Sequence, residues 1–257
     1  MPAARRALAI LRTLAGSPTP VTAATLARDL GLPRSSTYHL LAAMAEDGFV
    51  VHYPEEQRWG IGVSAFELGT AYLRHDPLER QARPVLRALV TRLPHDLPAV
   101  AHCGVLRGRE TLYVATESTA LRVSVVAEVG VRLPASLTVS GRCMLAVLPA
   151  AQVRALFPDR DAFVVRTGRG PSSLAQLRAL LATERRAGVA VEDGMVTEGY
   201  ASVAAASVDR AGRPVASIGV TVRSEDLAPP LLALCSREVR RTAGALTRRW
   251  GAVPAPT

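Results

Sequence analysis

Residues 26–41, LARDLGLPRSSTYHLL, commit the chain to two short helices with a tight turn between them. Gly-Leu-Pro at 31–33 interrupts two runs whose apolar residues recur at helical spacing. Gly31 takes the positive φ that ends a helix at little cost, and Pro33 suits the opening of the next one. The first helix turns Leu26, Ala27 and Leu30 toward a core, and the second turns Thr37, Leu40, Leu41 and Met44. At about 100° per residue, the opposite face of the second helix carries Ser35, His39, Ala42 and Glu46, with Tyr38 at its edge. A face so small and so rich in hydrogen-bonding groups is poorly explained by solubility alone. It is suited to lie against another surface.

The flanking sequence extends the pattern. Residues 4–15 predict a first helix, closed by the Gly-Ser-Pro-Thr-Pro turn at 16–20, and Thr22 stands as N-cap of a helix running to Leu30. The second helix of the pair runs from about Pro33 to Glu46, with Gly48 just beyond it. FVVHY (49–53) and Arg58–Ile61 read as strands joined by a Pro-Glu-Glu-Gln turn. A helical pair of this kind serves a bland helical subdomain as well as it serves a helix-turn-helix. The hairpin that follows favours a winged helix-turn-helix, with Ala27 small where the helices cross. In that arrangement Arg34 meets phosphate, Ser35 and His39 reach base edges, and Arg58 enters a minor groove from the wing. Thr22, Ser36 and Tyr38 complete the candidate DNA contacts; the competing reading leaves all seven solvated.

The expected domains are a DNA-binding unit over 1–62, a linker helix over 63–78, a second domain over 79–250 and a loose tail over 251–257. SAFELGTAYLRH (64–75) is amphipathic, and Asp76-Pro77 marks the boundary. Beyond it, a helix near 79–93 leads to β-prone runs at 98–106, 111–118 and 121–129. GRCMLAVL (141–148) and the stretch after Pro149 read as helical. SSLAQLRALLATERRAG opens on Ser172 or Ser173 and closes on Gly188. ASVAAASV (201–208) and PVASIGVTV (214–222) form a hairpin, and a last helix spans roughly 229–249. Mostly antiparallel strands with helices set against them make an α+β, sensor-like domain.

Charge gives less than its total suggests. The net +9 is built wholly from arginine, with no lysine in the chain. Residues 1–62 hold six arginines against five acids, whereas residues 81–257 hold twenty-three against fourteen. The case for DNA therefore rests on the local motif rather than on overall charge. No apolar run approaches the ~18–20 residues of a membrane span. Arginines 5, 6 and 12 break the N-terminal apolar stretch too soon for a signal-peptide core. Cys103, Cys143 and Cys235 are odd in number and far apart, which excludes a C-x-x-C site and suits a reducing compartment. A cytoplasmic protein without a membrane partner is expected.

Catalytic and metal readings find little support. TVSGR (138–142) lacks the first glycine of a G-x-S-x-G elbow. His102 and Cys103 point to opposite faces of one strand, and His39, His52, His75 and His95 show no ligand spacing. No catalytic residue, metal site or cofactor is assigned.

Against this background the chain resembles the IclR family of bacterial transcriptional regulators. The likeness is carried by LARDLGLPRSSTYHLLAAMAEDGFV and RWGIGVSAFELG, then by VRLPASLTVSGRCMLAVLP and RRAGVAVEDGMVTEGYASVAAASVDRAGRPVASIGVTV. It covers nearly the whole chain. The resemblance implies a winged helix-turn-helix domain, a linker helix and a C-terminal, GAF-like α/β effector-binding domain. It also implies a dimer or a dimer of dimers on a palindromic double-stranded operator, with DNA affinity altered by a small-molecule effector. By resemblance, effector positions fall on Val139, Ser140, Gly141, Glu192, Ser202, Gly219 and Thr221. The residues themselves agree in part. Ser202 and Thr221 offer hydroxyls on adjacent strands, Gly219 opens the backbone to a ligand, and Ser140-Gly141-Arg142 start a helix whose N–H groups suit a carboxylate. The chain departs from the family pattern at His39 (usually arginine), at Glu192 (usually aspartate or serine), at Met195 (usually glutamate) and at Ala205-Ala206 (often alanine-proline). Two other functions compete: an enzyme acting on a small metabolite in the C-terminal pocket with an autoregulatory DNA-binding domain, and an architectural DNA-binding protein without a ligand.

Overall fold

The structure is a computed structural model that describes residues 3–75, 77–121 and 128–251. Its contacts divide the chain into two compact units, with the boundary between residues 76 and 77.

In the first unit, α1 (Ala3–Ala15), β1 (Val21–Thr22), α2 (Ala23–Asp29) and α3 (Arg34–Glu46) precede the hairpin of β2 (Val50–Tyr53) and β3 (Arg58–Ile61). Ile10, Leu14, Leu26, Leu41, Met44, Val50 and Trp59 form its core. The turn between α2 and α3 follows from the chemistry at Gly31, whose φ is 61°. Leu32 N–H donates to Ala27 C=O at 2.8 Å and Gly31 N–H to Arg28 C=O at 3.2 Å, the paired closure that satisfies the last carbonyls of a helix. Pro33 sits one step outside α3, at its N-cap. The sequence pattern did not yield β1, which pairs antiparallel with β3 and makes the hairpin a three-stranded sheet in the order β1-β3-β2. α4 (Val63–His75) follows.

The second unit is built on a six-stranded, wholly antiparallel sheet with the order β6-β5-β4-β9-β8-β7. Its elements are α5 (Pro77–Val90), β4 (Val100–Arg107), β5 (Glu110–Ser118), β6 (Arg132–Pro134), α6 (Val139–Val147), α7 (Ala150–Leu156), α8 (Leu174–Ala187), β7 (Ala190–Asp193), β8 (Tyr200–Val208), β9 (Pro214–Arg223) and α9 (Pro229–Gly251). Strand alternation sorts residues between two layers. Ala101, Cys103, Val203, Ile218 and Val220 face one way, into a core shared with Leu86 and Leu89 of α5 and Val239 and Leu246 of α9. His102, Ser202, Gly219 and Thr221 face the other way, toward α6, which in turn packs on α8. The short strands β6 and β7 were not predicted, and the run expected as a strand at 121–129 falls mostly outside the described residues. No helix among the described residues is long and apolar enough to cross a membrane.

Candidate functional site

The first candidate surface is the outward face of α3. Thr37, Leu41 and Met44 are buried beneath it, and Arg34, Ser35, Tyr38, His39 and Ala42 are exposed, with Ser36 half-buried. Thr37 also hydrogen-bonds back to Pro33 C=O at 3.1 Å, so its hydroxyl is spent locally. What remains outward is a set of short donors and acceptors of the size that reads base edges. Arg28, not singled out from sequence, joins Arg34 along the groove between α2 and α3 and hydrogen-bonds Asp29 at 2.9 Å.

Two expected contacts are committed elsewhere. Thr22 caps α2: its hydroxyl oxygen accepts from Thr25 N–H at 3.2 Å and its O–H donates to Thr25 Oγ1 at 3.0 Å. Arg58 does not project from the wing tip. Its Nη1 donates to Pro20 C=O at 2.8 Å, which ties β3 to the turn before β1. The tip itself is Pro54–Gln57, where Glu55 and Glu56 place negative charge. Both residues therefore shape the unit before they touch anything beyond it.

The second candidate is a cleft in the other unit, with a cavity of about 30 Å³. Leu133, Val139 and Val196 supply its aliphatic wall; hydroxyls come from Tyr113, Thr138, Thr197, Tyr200, Ser202 and Thr221, and one carboxylate from Glu192. Strand register explains the convergence. Glu192 of β7 lies opposite Ser202 of β8, and Ser202 lies opposite Thr221 of β9. Among the described residues the lining holds neither lysine nor arginine.

Beneath the cleft runs a chain of hydrogen bonds. Ser202 Oγ is 2.9 Å from Thr221 Oγ1, Thr221 Oγ1 is 3.1 Å from His102 Nε2, and His102 Nδ1 is 3.3 Å from Ser140 Oγ. Glu192 accepts Met195 N–H at 2.8 Å. Burial raises the Glu192 pKa, opposed by hydrogen bonding and by the Arg142 charge, and burial lowers that of His102 to about 4. The imidazole is thus neutral, with one donor and one acceptor nitrogen.

Three sequence expectations change here. Gly219 does not open the backbone to a ligand, because the His102 ring fills that space: a Cβ at 219 would lie 2.2 Å from His102 Cε1. Gly141 is also a close-packing residue, since a Cβ there would meet the backbone of Ala135 at 2.3 Å. Its N–H donates to the N-cap Thr138 at 3.0 Å rather than to a carboxylate. Ser140 is fully buried, hydrogen-bonds His102, and is not among the residues that line this cleft. Glu192, Ser202, Thr221 and Val139 do line the cleft.

The sequence offered Arg142 only for its backbone N–H at a helix start; its side chain was given no role, although a charge interrupting an apolar helix was the available signal. Its side chain is fully buried; Nε donates to Glu184 at 2.8 Å, Nη1 to Leu137 C=O and Nη2 to Val191 C=O, each at 2.7 Å. It joins α6 to α8 and to β7, and so fixes the strand that carries Glu192. Cys143, next along, is buried, and burial raises its thiol pKa and so disfavours the thiolate.

Comparison with known proteins accounts for both units. The chain matches the family described as "Bacterial transcriptional regulator IclR C-terminal" over residues 70–248 and "IclR helix-turn-helix domain" over residues 3–54. It is similar to the glycerol operon regulatory protein of Streptomyces coelicolor, with 32% identity over 249 residues, 93% of this chain and 95% of that one. The repressor BlcR of Agobacterium tumefaciens, a solved structure, shares 30% identity at a TM-score of 0.60 and covers 99% of both chains. An IclR homolog from Microbacterium hydrocarbonoxydans, solved with 4-hydroxybenzoate, shares the fold at a TM-score of 0.74 with 21% identity, covering 96% of this chain and 100% of that one. The matched families and relatives regulate transcription and are not enzymes. With an N-terminal helix-turn-helix and a C-terminal antiparallel-sheet domain in the matching order, the chain belongs to the IclR family of bacterial transcriptional regulators.

Proposed function

We propose that the protein is a cytoplasmic, ligand-responsive regulator that binds a palindromic operator as a homo-oligomer and changes its DNA affinity when a small molecule fills the cleft. The observation that carries this reading is the pairing, in one chain, of the exposed α3 face with a hydroxyl-lined cleft in a separate unit. Ser35, Ser36, Tyr38 and His39 read bases, and Arg34 meets phosphate. Arg58 and Thr22 support the wing and the start of α2. Val139, Glu192, Ser202 and Thr221 hold the effector directly, while Ser140, Gly141 and Gly219 act through packing and through His102. One recognition helix reads few bases, so useful specificity requires at least two copies. That a relative of similar length is named for an operon it regulates supports the same reading. Occupancy of the cleft needs to change operator affinity by only ~1–3 kcal/mol to serve as a switch. The test is to recover and sequence bound DNA, footprint it, and measure the assembly by light scattering. A two-fold symmetric footprint from a dimer or tetramer is expected, and a monomer protecting one asymmetric half-site would overturn the proposal.

A further inference from the structure

Among the described residues the cleft is lined by one carboxylate and no cation, and that balance selects the ligand. We infer that the cleft takes a small, uncharged molecule rich in hydroxyl groups and rejects carboxylates, because its floor offers acceptors and no cation. This inference rests on the reading of the cleft as the effector site.

A hydroxyl has one proton to give and two positions at which to accept. Ser202 and Thr221 bond each other and Thr221 bonds His102, so both hydroxyls are partly satisfied by neighbours. Glu192 accepts Met195 N–H and keeps lone pairs beyond it. A ligand beside Glu192 is therefore best matched if it brings hydrogen-bond donors. A carboxylate brings none, and it would place a second negative charge beside Glu192, itself only 4% exposed. No cation among the described residues lines the cleft itself. His102 is neutral, and the Arg142 guanidinium, fully buried, is committed to Glu184 and to two backbone carbonyls. The helix start that would suit an anion is also closed, since Gly141 N–H is held by Thr138. An ammonium ligand must shed its water in a lining that is otherwise hydroxyl and aliphatic, a cost that a neutral molecule escapes.

The test is a thermal-shift screen of the full-length protein against matched sets that differ only in charge: glycerol, glycerate and serinol; 1,2-propanediol and lactate; 4-hydroxybenzyl alcohol, 4-hydroxybenzoate and tyramine. Calorimetry on the hits follows, with wild type and Glu192→Gln. The expected result is stabilisation by neutral members, each bound at least about tenfold more tightly than its carboxylate partner. Glu192→Gln, which keeps the shape, removes the charge and adds an amide donor, should narrow that ratio by strengthening carboxylate binding. Carboxylate or ammonium members bound more tightly than neutral ones in wild type would overturn the inference and leave the effector-cleft reading standing. A charge preference unchanged in Glu192→Gln would overturn it as well. Stabilisation by none of the compounds, with operator affinity unmoved by all of them, would overturn the inference and the effector reading together.

Discussion

Arg142→Met is the sharpest probe of how the second unit is held together. The substitution keeps an unbranched apolar stem and deletes a guanidinium that is fully buried and makes 2.7–2.8 Å hydrogen bonds to Glu184, Leu137 C=O and Val191 C=O. Removing one partner of a buried ion pair costs about 3–5 kcal/mol, because the other charge is left without compensation. Each of the two stranded carbonyls adds about 1 kcal/mol, so a total of about 5–7 kcal/mol is expected at neutral pH. Burial already raises the Glu184 pKa, and the attraction of Arg142 is what opposes that rise. Without Arg142 the folded-state pKa climbs further above the unfolded one. A carboxyl shifted in that sense favours the fold below its unfolded pKa and loses that contribution as pH rises through the folded value. The deficit should therefore be largest near pH ~8 and shrink toward pH ~5. The double variant Arg142→Met/Glu184→Leu removes both charges and should regain more than half of the loss, leaving roughly the 2 kcal/mol of the two carbonyls. Scanning calorimetry of the full chain across that pH range resolves this. A single variant within about 1 kcal/mol of wild type near pH ~8, or a double variant no more stable than the single, would refute the reasoning.

Three further outcomes follow from the geometry. His39→Ala should lower operator affinity by ~1–3 kcal/mol and leave random-sequence binding unchanged, while Arg34→Ala should weaken both and reduce the salt slope by about one, as read by fluorescence anisotropy across ionic strength. Gly219→Ala should destabilise the second unit by about 2 kcal/mol through overpacking against His102, and the double variant with His102→Ala should lose at least about 1 kcal/mol less than the sum of the two singles in urea melts. His102, lowered to about 4 by burial, contributes stability that is full above its unfolded pKa of 6.5 and is lost as pH falls toward 4. His102→Gln should flatten the stability profile over that window.

The parts legible in the sequence were those encoded within a few residues of one another. The glycine turn at 31, the Thr22 and Ser173 caps, the β2–β3 and β8–β9 hairpins and the exposed face of α3 all follow from local backbone preference and helical or strand period. That locality is why the helix-turn-helix and the helix–sheet alternation were evident without coordinates. Tertiary structure decided what depends on distant partners. His102 meets Thr221 across 119 positions and Ser140 across 38, and Arg142 meets Glu184 across 42. No periodicity announces such pairs. The sequence offered Gly219 as an opening for a ligand, whereas the sheet lays the His102 ring over it. The sequence offered Arg58 of the wing as a minor-groove contact, whereas pairing of β1 with β3 brings Pro20 within its reach. Sequence alone thus supplied the elements and their order. Only the packed sheet, by setting side chains from β4, β7, β8 and β9 on one face at hydrogen-bond distance, determined which donors and acceptors remain for a ligand.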